Sequence, residues 1–250
     1  MASDLVDWFG RPGGTRLADA EKEILGRFAG DLFGYYLVYL HDFDEDAGFL
    51  EECPVRNKLS LCAARASACC DVVALGEQLP LRTDSLDAVL LRHSLDFALD
   101  PQQVLREVER VLIPEGRVLI VGFNPFSLWG LWRLVLKWRG RAPWRGHFLS
   151  FRRVSDWLGL LGFDIEYTDV AAFAPPLPDS WQRRLGPVER LGRRLLPMFA
   201  GVYVIRAVKR VSTVTPLRLR WQGLRILSPG GVVEPSTRES GSIMRREVKS

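Results

Sequence analysis

One stretch, Cys70–Pro125, limits the fold more than any other part of the chain. Asp87-Ala-Val-Leu-Leu91 is a short apolar run entered through the turn residues Thr83-Asp84-Ser85, which predicts a strand. Asp100-Pro101-Gln102-Gln103 then opens a helix. Asp100 is placed to cap it, Pro101 suits its first position, and Gln103 completes a box-like pattern with the cap. Val104, Leu105, Val108, Val111 and Leu112 recur at helical spacing and make one apolar face. Pro114 and Gly116 are expected to stop that helix. Arg117–Phe123, RVLIVGF, is an almost unbroken apolar run with β-branched residues, as a strand covered on both faces requires. Strand, crossover helix and strand form a right-handed βαβ unit.

The same residues resemble the second half of a class I S-adenosylmethionine-dependent methyltransferase domain of the methyltransferase type 11 kind. That family has a Leu-Pro after the third strand, here Leu79-Pro80, and a Phe-Asp or similar pair opening the fourth, here Leu86-Asp87. An Asp-Pro, here Asp100-Pro101, starts a helix of the form LREIxRVLKPGG, matched by Leu105-Arg106-Glu107-Val108-Glu109-Arg110-Val111-Leu112-Ile113-Pro114-Glu115-Gly116. The resemblance implies an α/β, Rossmann-like fold: a seven-stranded, mostly parallel sheet with helices on both faces. It also implies S-adenosyl-L-methionine as cofactor and methyl transfer as the activity. The acceptor cannot be read from the sequence.

A chain of 250 residues has room for one sizeable core with an extension. A methyltransferase-like domain is expected over 1–211 and a disordered tail over 212–250, where Ser, Pro, Gly and Arg accumulate. The net charge of +4 allows an anionic partner without demanding one. The first residues, MASDLVDWFG, carry acids where a signal peptide carries Lys or Arg, so the cytoplasm is the expected location. No apolar run reaches the length of a membrane span. Cys53, Cys62, Cys69 and Cys70 lack CxxC spacing and the three histidines lie far apart, so buried free thiols are expected and no metal site.

Upstream of the central stretch, Leu17–Phe28 has the periodicity of an amphipathic helix, and Phe33–Leu40 reads as the first strand. In the family that strand enters a GxGxG loop whose glycines let the backbone pass close to the cofactor. Here His41-Asp42-Phe43-Asp44-Glu45-Asp46-Ala47-Gly48 follows, with one glycine and four carboxylates. Those carboxylates either meet the cofactor's ammonium or ribose hydroxyls, or form the solvated start of a helix. Asn57–Ala63 and Cys70–Leu75 read as strands two and three. The family's ribose-binding acid after strand two has no counterpart in Ala63-Ala64-Arg65, and Leu75 stands where an aspartate would bind the adenine amine.

Downstream, residues 125–149 form an insertion that holds Trp129, Trp132, Trp138 and Trp144 among arginines and Lys137. It is read as a lid packed on the sheet, ahead of an interfacial membrane-surface element and of a nucleic-acid stacking surface. Ser150 is expected to cap a helix carrying Val154, Trp157, Leu158 and Leu161, closed by Gly162. Phe163–Val170 reads as a strand, 181–198 as a basic helix and Gly201–Val208 as the last strand. The resemblance places that last strand antiparallel between strands five and six.

Ligands of an open parallel sheet lie outside the carboxyl ends of its strands. The resemblance then assigns His41, Asp42, Gly76, Glu77, Gln78, Arg92 and Ser94 to the cofactor edge, and His93 is the candidate base because it titrates near neutrality. The altered loop leaves a second reading beside the enzyme: an inactive methyltransferase fold used for binding, at a membrane or nucleic acid, through its Trp/Arg-rich segments.

Overall fold

The computed structural model describes residues 8, 10, 12–41, 48–51, 53–63, 70–136, 144, 146–171 and 199–211. These lie in the first of two compact units, Met1–Ser212. The expected tail over 212–250, the basic helix over 181–198 and Asp42 lie outside the described residues.

Seven strands form one sheet of order β3-β2-β1-β4-β5-β7-β6. They are β1 Tyr36–His41, β2 Asn57–Cys62, β3 Val72–Val73, β4 Leu86–Arg92, β5 Leu112–Phe123, β6 Phe163–Ala171 and β7 Val202–Lys209. β1 to β5 run parallel, and β7 pairs antiparallel with both β5 and β6. The expected central trio β1, β4 and β5 does lie side by side. The helices are α1 Pro12–Ala29, α2 Ser94–Phe97, α3 Pro101–Val111, α4 Leu128–Leu136 and α5 Phe151–Leu160.

Alternation along each strand sends side chains to opposite faces and gives the sheet two cores. On one face Leu37, Tyr39, Leu90, Leu119 and Val121 meet Leu17, Ile24 and Leu25 of α1. On the other, Val38, Val89, Val118 and Ile120 meet Val104, Leu105 and Val108 of α3 with Val154 and Leu158 of α5. Each such side chain contributes roughly 1.5–3 kcal/mol of gross transfer free energy. The faces explain why β4 and β5 are apolar at nearly every position.

The caps form as the sequence predicts. Asp100 Oδ1 accepts from the backbone N–H of Gln102 and Gln103 at 3.0 and 3.1 Å, and Ser150 Oγ accepts from Arg153 N–H at 3.4 Å. The helix that Pro114 and Gly116 were expected to stop ends earlier, at Val111, and passes directly into β5. The register shifts between Leu86↔Leu112 and Ala88↔Arg117, with Glu115 at φ 64°, so Pro114 and Gly116 sit in a bulge and not at a helix end.

Two further expectations are corrected. The first strand starts at Tyr36, not Phe33, because Gly34 at φ 141° turns the chain against Asp87. A Cβ at Gly34 would come within 2.3 Å of the Asp87 side chain, whose Oδ2 accepts from Tyr35 and Tyr36 N–H at 2.9 Å each. Cys62 and Cys70 are joined as a disulfide with a Cα–Cα distance of 6.0 Å, Cys62 ending β2 and Cys70 lying just before β3. Cys53 is a buried free thiol, as expected.

Candidate active site at the carboxyl edge of the sheet

The carboxyl ends of β1 and β2, the loop after β3 and helix α2 enclose a small cavity of about 90 Å³. Leu40 and His41 come from β1, Ala63 follows β2, Ala74, Leu75, Gly76 and Glu77 follow β3, and Ser94 and Phe97 come from α2. Four residues assigned from the sequence, His41, Gly76, Glu77 and Ser94, are thus brought together. The close packing at Gly76 leaves little room for a side chain: a Cβ there would meet Leu40 and Val104 at 3.3 Å.

The polar groups of this cavity are already engaged. His41 Nε2 lies 2.7 Å from Ser60 Oγ, and its ring stacks on Tyr39 with centroids 4.5 Å apart. Glu77 Oε1 accepts from Leu99 and Asp100 N–H at 2.9 and 3.4 Å, which fastens the β3 loop to the start of α3. Ser94 Oγ donates to the Leu40 carbonyl at 2.9 Å. Gln78 is exposed beside this cavity and is not among its lining residues. Leu61, Ala74, Leu75 and Leu99 give the cavity apolar walls, and Ala63 at the end of β2 supplies no carboxylate.

Arg92 and His93 point elsewhere. Both are fully buried, and neither lines the cavity, so the edge role read from the sequence is corrected for the pair. Arg92 Nε donates to Glu21 Oε2 at 2.8 Å. His93 lies between Glu21 Oε1 and Asp96 Oδ2, at 2.9 Å from each, and stacks on Phe123 with centroids 4.0 Å apart. Its backbone is left-handed, at φ 56°. Burial alone would lower the His93 pKa; the carboxylates of Glu21 and Asp96 outweigh it and hold the ring protonated, at about 9. A base must be neutral to accept a proton, so His93 is a structural cation at pH 7. Burial opposes the charge on Glu21 as well, but His93 and Arg92 keep its pKa below the usual value. For Asp96 burial dominates, and the pKa is raised despite His93.

Glu21 is the residue that sequence reasoning missed. It lies on α1, whose periodicity marks Leu17, Ile24 and Leu25 as core, and it shares their inward face. An acid four residues after Leu17 and three before Ile24 is the signal that was present in the sequence.

A second cavity, of about 590 Å³, lies beyond β5. Among the described residues its walls combine the apolar Phe126, Phe151 and Val170 with the charged Arg152 and Asp169. Trp129 and Trp144 of the insertion pack into the core on the α1 face of the sheet. Trp129 is 2% exposed and meets Trp8, Phe123 and Trp144 at ring-centroid distances of 5.7, 6.2 and 6.2 Å. The side chains of Trp132 and Trp138, which would separate a lid from an interfacial element, lie outside the described residues.

A parallel sheet of this order, with an antiparallel β7 between β5 and β6 and a cavity at the carboxyl edge, is the Rossmann-like fold of class I S-adenosylmethionine-dependent methyltransferases. The family model described as Methyltransferase domain matches residues 53–120, so it begins after the loop in which the glycines are missing. The match spans β2 to β4 and most of β5. YafS, an uncharacterized protein of Escherichia coli, is 29% identical over 208 residues, which is 83% of this chain and 82% of that protein. An uncharacterized protein of Methanocaldococcus jannaschii is 30% identical over 92 residues, covering 37% of this chain and 45% of its own length. Among solved structures, an S-adenosylmethionine-dependent methyltransferase from Mesorhizobium loti superposes with a TM-score of 0.53 at 16% identity, over 74% of this chain and 96% of that one. A methyltransferase from Thermotoga maritima gives 0.51 at 17% identity, over 75% and 92%.

Among the described residues no group of three His, Cys, Asp or Glu is arranged to hold a metal ion, and no helix is long and apolar enough to cross a membrane.

Proposed function

We propose that this protein binds S-adenosylmethionine over the carboxyl ends of β1 to β4 and transfers its methyl group to an acceptor. The observation that carries this reading is the cavity bounded by His41, Ala63, Gly76 and Ser94, at the edge where a sheet of this order receives its ligand. The sulfonium supplies an activated methyl group, so the protein's task is to align the acceptor, not to activate it. The acceptor's lone pair forms the new bond as the carbon–sulfur bond breaks. That bonding pair returns to sulfur and cancels its charge, and any acceptor proton passes to solvent. Leu61, Ala74 and Leu75 would hold the adenine, and backbone at Gly76 would lie against it.

Calorimetry with S-adenosylmethionine and S-adenosylhomocysteine tests the reading. Binding with one site per chain is expected, weaker than in relatives that keep the glycine-rich loop. Absence of heat and of any thermal shift at millimolar ligand would remove it.

A second reading, a methyltransferase fold kept for binding without turnover, is supported by Ala63 and by the single glycine in 41–48. Exposed Phe126, Leu128 and Leu131 favour an anionic membrane surface as its partner over a nucleic acid. Sedimentation with anionic vesicles, lost in a Leu128→Ser, Leu131→Ser double variant, is the outcome this reading requires.

A further inference from the structure

One wall of the cavity at the carboxyl edge is not supplied by the sheet. Helix α2 contributes Ser94 and Phe97, and Ala98 and Leu99 follow it. At 4 residues it is too short a helix to hold itself in water. Ties from elsewhere fix it. Ser94 Oγ donates to the Leu40 carbonyl at 2.9 Å, and the Asp96 carbonyl accepts from His147 N–H at 2.6 Å. The charged tie runs through the Asp96 side chain, whose Oδ2 accepts from His93 Nδ1 at 2.9 Å and from Phe123 N–H at 3.0 Å.

Glu21 sets the strength of that tie. The two ring nitrogens of His93 face carboxylate oxygens of Glu21 and Asp96 at 2.9 Å each, and only the protonated ring donates to both. The groups around the ring are Glu21 from α1, Arg92 beside it on β4 and Asp96 from α2, with Tyr203 of β7 next to Asp96. Burial disfavours the charge on the ring, so without the Glu21 carboxylate one of the two bonds is given up. His93 also supplies the left-handed backbone that starts α2, at φ 56°. A non-glycine residue keeps that conformation where its surroundings impose it.

Building on the methyltransferase reading, we propose that Glu21, His93 and Asp96 are positioning residues for the cofactor: through them α1 holds α2 in place as a wall of the cavity. None of the three lines the cavity itself, so their effect passes through Ser94 and Phe97. A wall held before the ligand arrives need not be ordered on binding, and affinity rises accordingly. Cofactor affinity therefore depends on a carboxylate 72 residues before His93, and on the charge that this carboxylate maintains.

Three measurements on the full chain test this, at a temperature where circular dichroism shows each variant folded. Amide exchange at Asp96 and Ala98 of the ligand-free protein should quicken at least tenfold in Glu21→Gln. Calorimetry with S-adenosylhomocysteine should show binding at least fivefold weaker in the same variant. Lys209→Met is the control for destabilisation as such. It removes a buried cation at the amino edge of the sheet, where Val208 pairs with Arg117, and should change neither quantity. Methylthioadenosine, which has no group that titrates near pH 9, should bind the native protein severalfold more weakly at pH 9.5 than at pH 7.5, because His93 loses its proton at about 9. Glu21→Gln should bind it equally at both. Unchanged exchange in Glu21→Gln, equal effects of Glu21→Gln and Lys209→Met, or a native affinity that is flat with pH would each overturn the proposal. A native protein that binds neither nucleoside would instead sink the methyltransferase reading, and the cofactor role with it, whatever the exchange shows.

Discussion

Glu21→Gln is the sharpest test of how the N-terminal helix is joined to the sheet. In the native protein Glu21 accepts from Arg92 at 2.8 Å and from His93 at 2.9 Å, with all three side chains fully buried. Gln keeps the shape but leaves two cations facing a neutral amide. Removing one partner of a buried ion pair costs about 3–5 kcal/mol. At about 2–4 °C per kcal/mol for a chain of this size, Tm should fall by about 6–20 °C. The pH dependence should change as well. His93 titrates at about 9 in the folded protein against 6.5 when unperturbed. A raised pKa contributes stability that is fully present below 6.5 and is lost as pH rises through 9; 2.5 units correspond to about 3 kcal/mol. Without the Glu21 carboxylate, burial lowers the His93 pKa, so the loss between pH 7 and 9.5 should flatten in the variant. Urea unfolding followed by far-ultraviolet circular dichroism at pH 6, 7.5 and 9.5 measures both effects. A variant within 1 kcal/mol of native stability, with the native pH profile, would refute the buried charge network.

Tyr203→Phe should raise the stability of the ligand-free protein by about 1 kcal/mol, because it removes an unpartnered buried hydroxyl; a lower midpoint in urea would mean that the hydroxyl has a partner. Lys209→Met should cost about 2–3 kcal/mol, since Nζ donates to the Glu109 and Leu112 carbonyls at 2.7 and 2.8 Å and would leave them unpaired; thermal unfolding unchanged within 1 °C would contradict this. Asp100→Ala should cost about 1 kcal/mol through the lost cap of α3, read by the same method. Ala63→Asp restores a carboxylate at the end of β2 and should tighten S-adenosylmethionine binding about tenfold, as one hydrogen bond to a charged group allows; unchanged affinity by calorimetry would place the ribose away from that strand.

The second half of the sheet was legible in the sequence because its signals are local. Asp100 and Pro101 start α3 through hydrogen bonds made within one turn, and the apolar stripe Val104, Leu105, Val108, Val111 follows from helical period alone. The run Arg117–Phe123 needs only burial on both faces to be read as a central strand. Short, half-exposed elements were harder: β3 is only two residues long, and its partner strand, not its own composition, fixes it.

The site was legible in its location and not in its chemistry. Sequence order puts His41, Gly76, Glu77, Arg92 and His93 at strand ends, but it cannot say which way each side chain turns. At His93 a left-handed backbone and the inward face of α1 decide this, bringing Glu21 to within 2.9 Å across a separation of 72 residues. Glu77 lines the cavity and at the same time accepts from the first turn of α3. Period, caps and turns are properties of neighbouring residues, so the sequence alone determined most of the elements and their order, though not where β1 begins, where α3 ends or how short β3 is. Which polar groups are consumed by the fold and which remain for a ligand depends on contacts between residues distant in the chain, and the tertiary structure alone decided that.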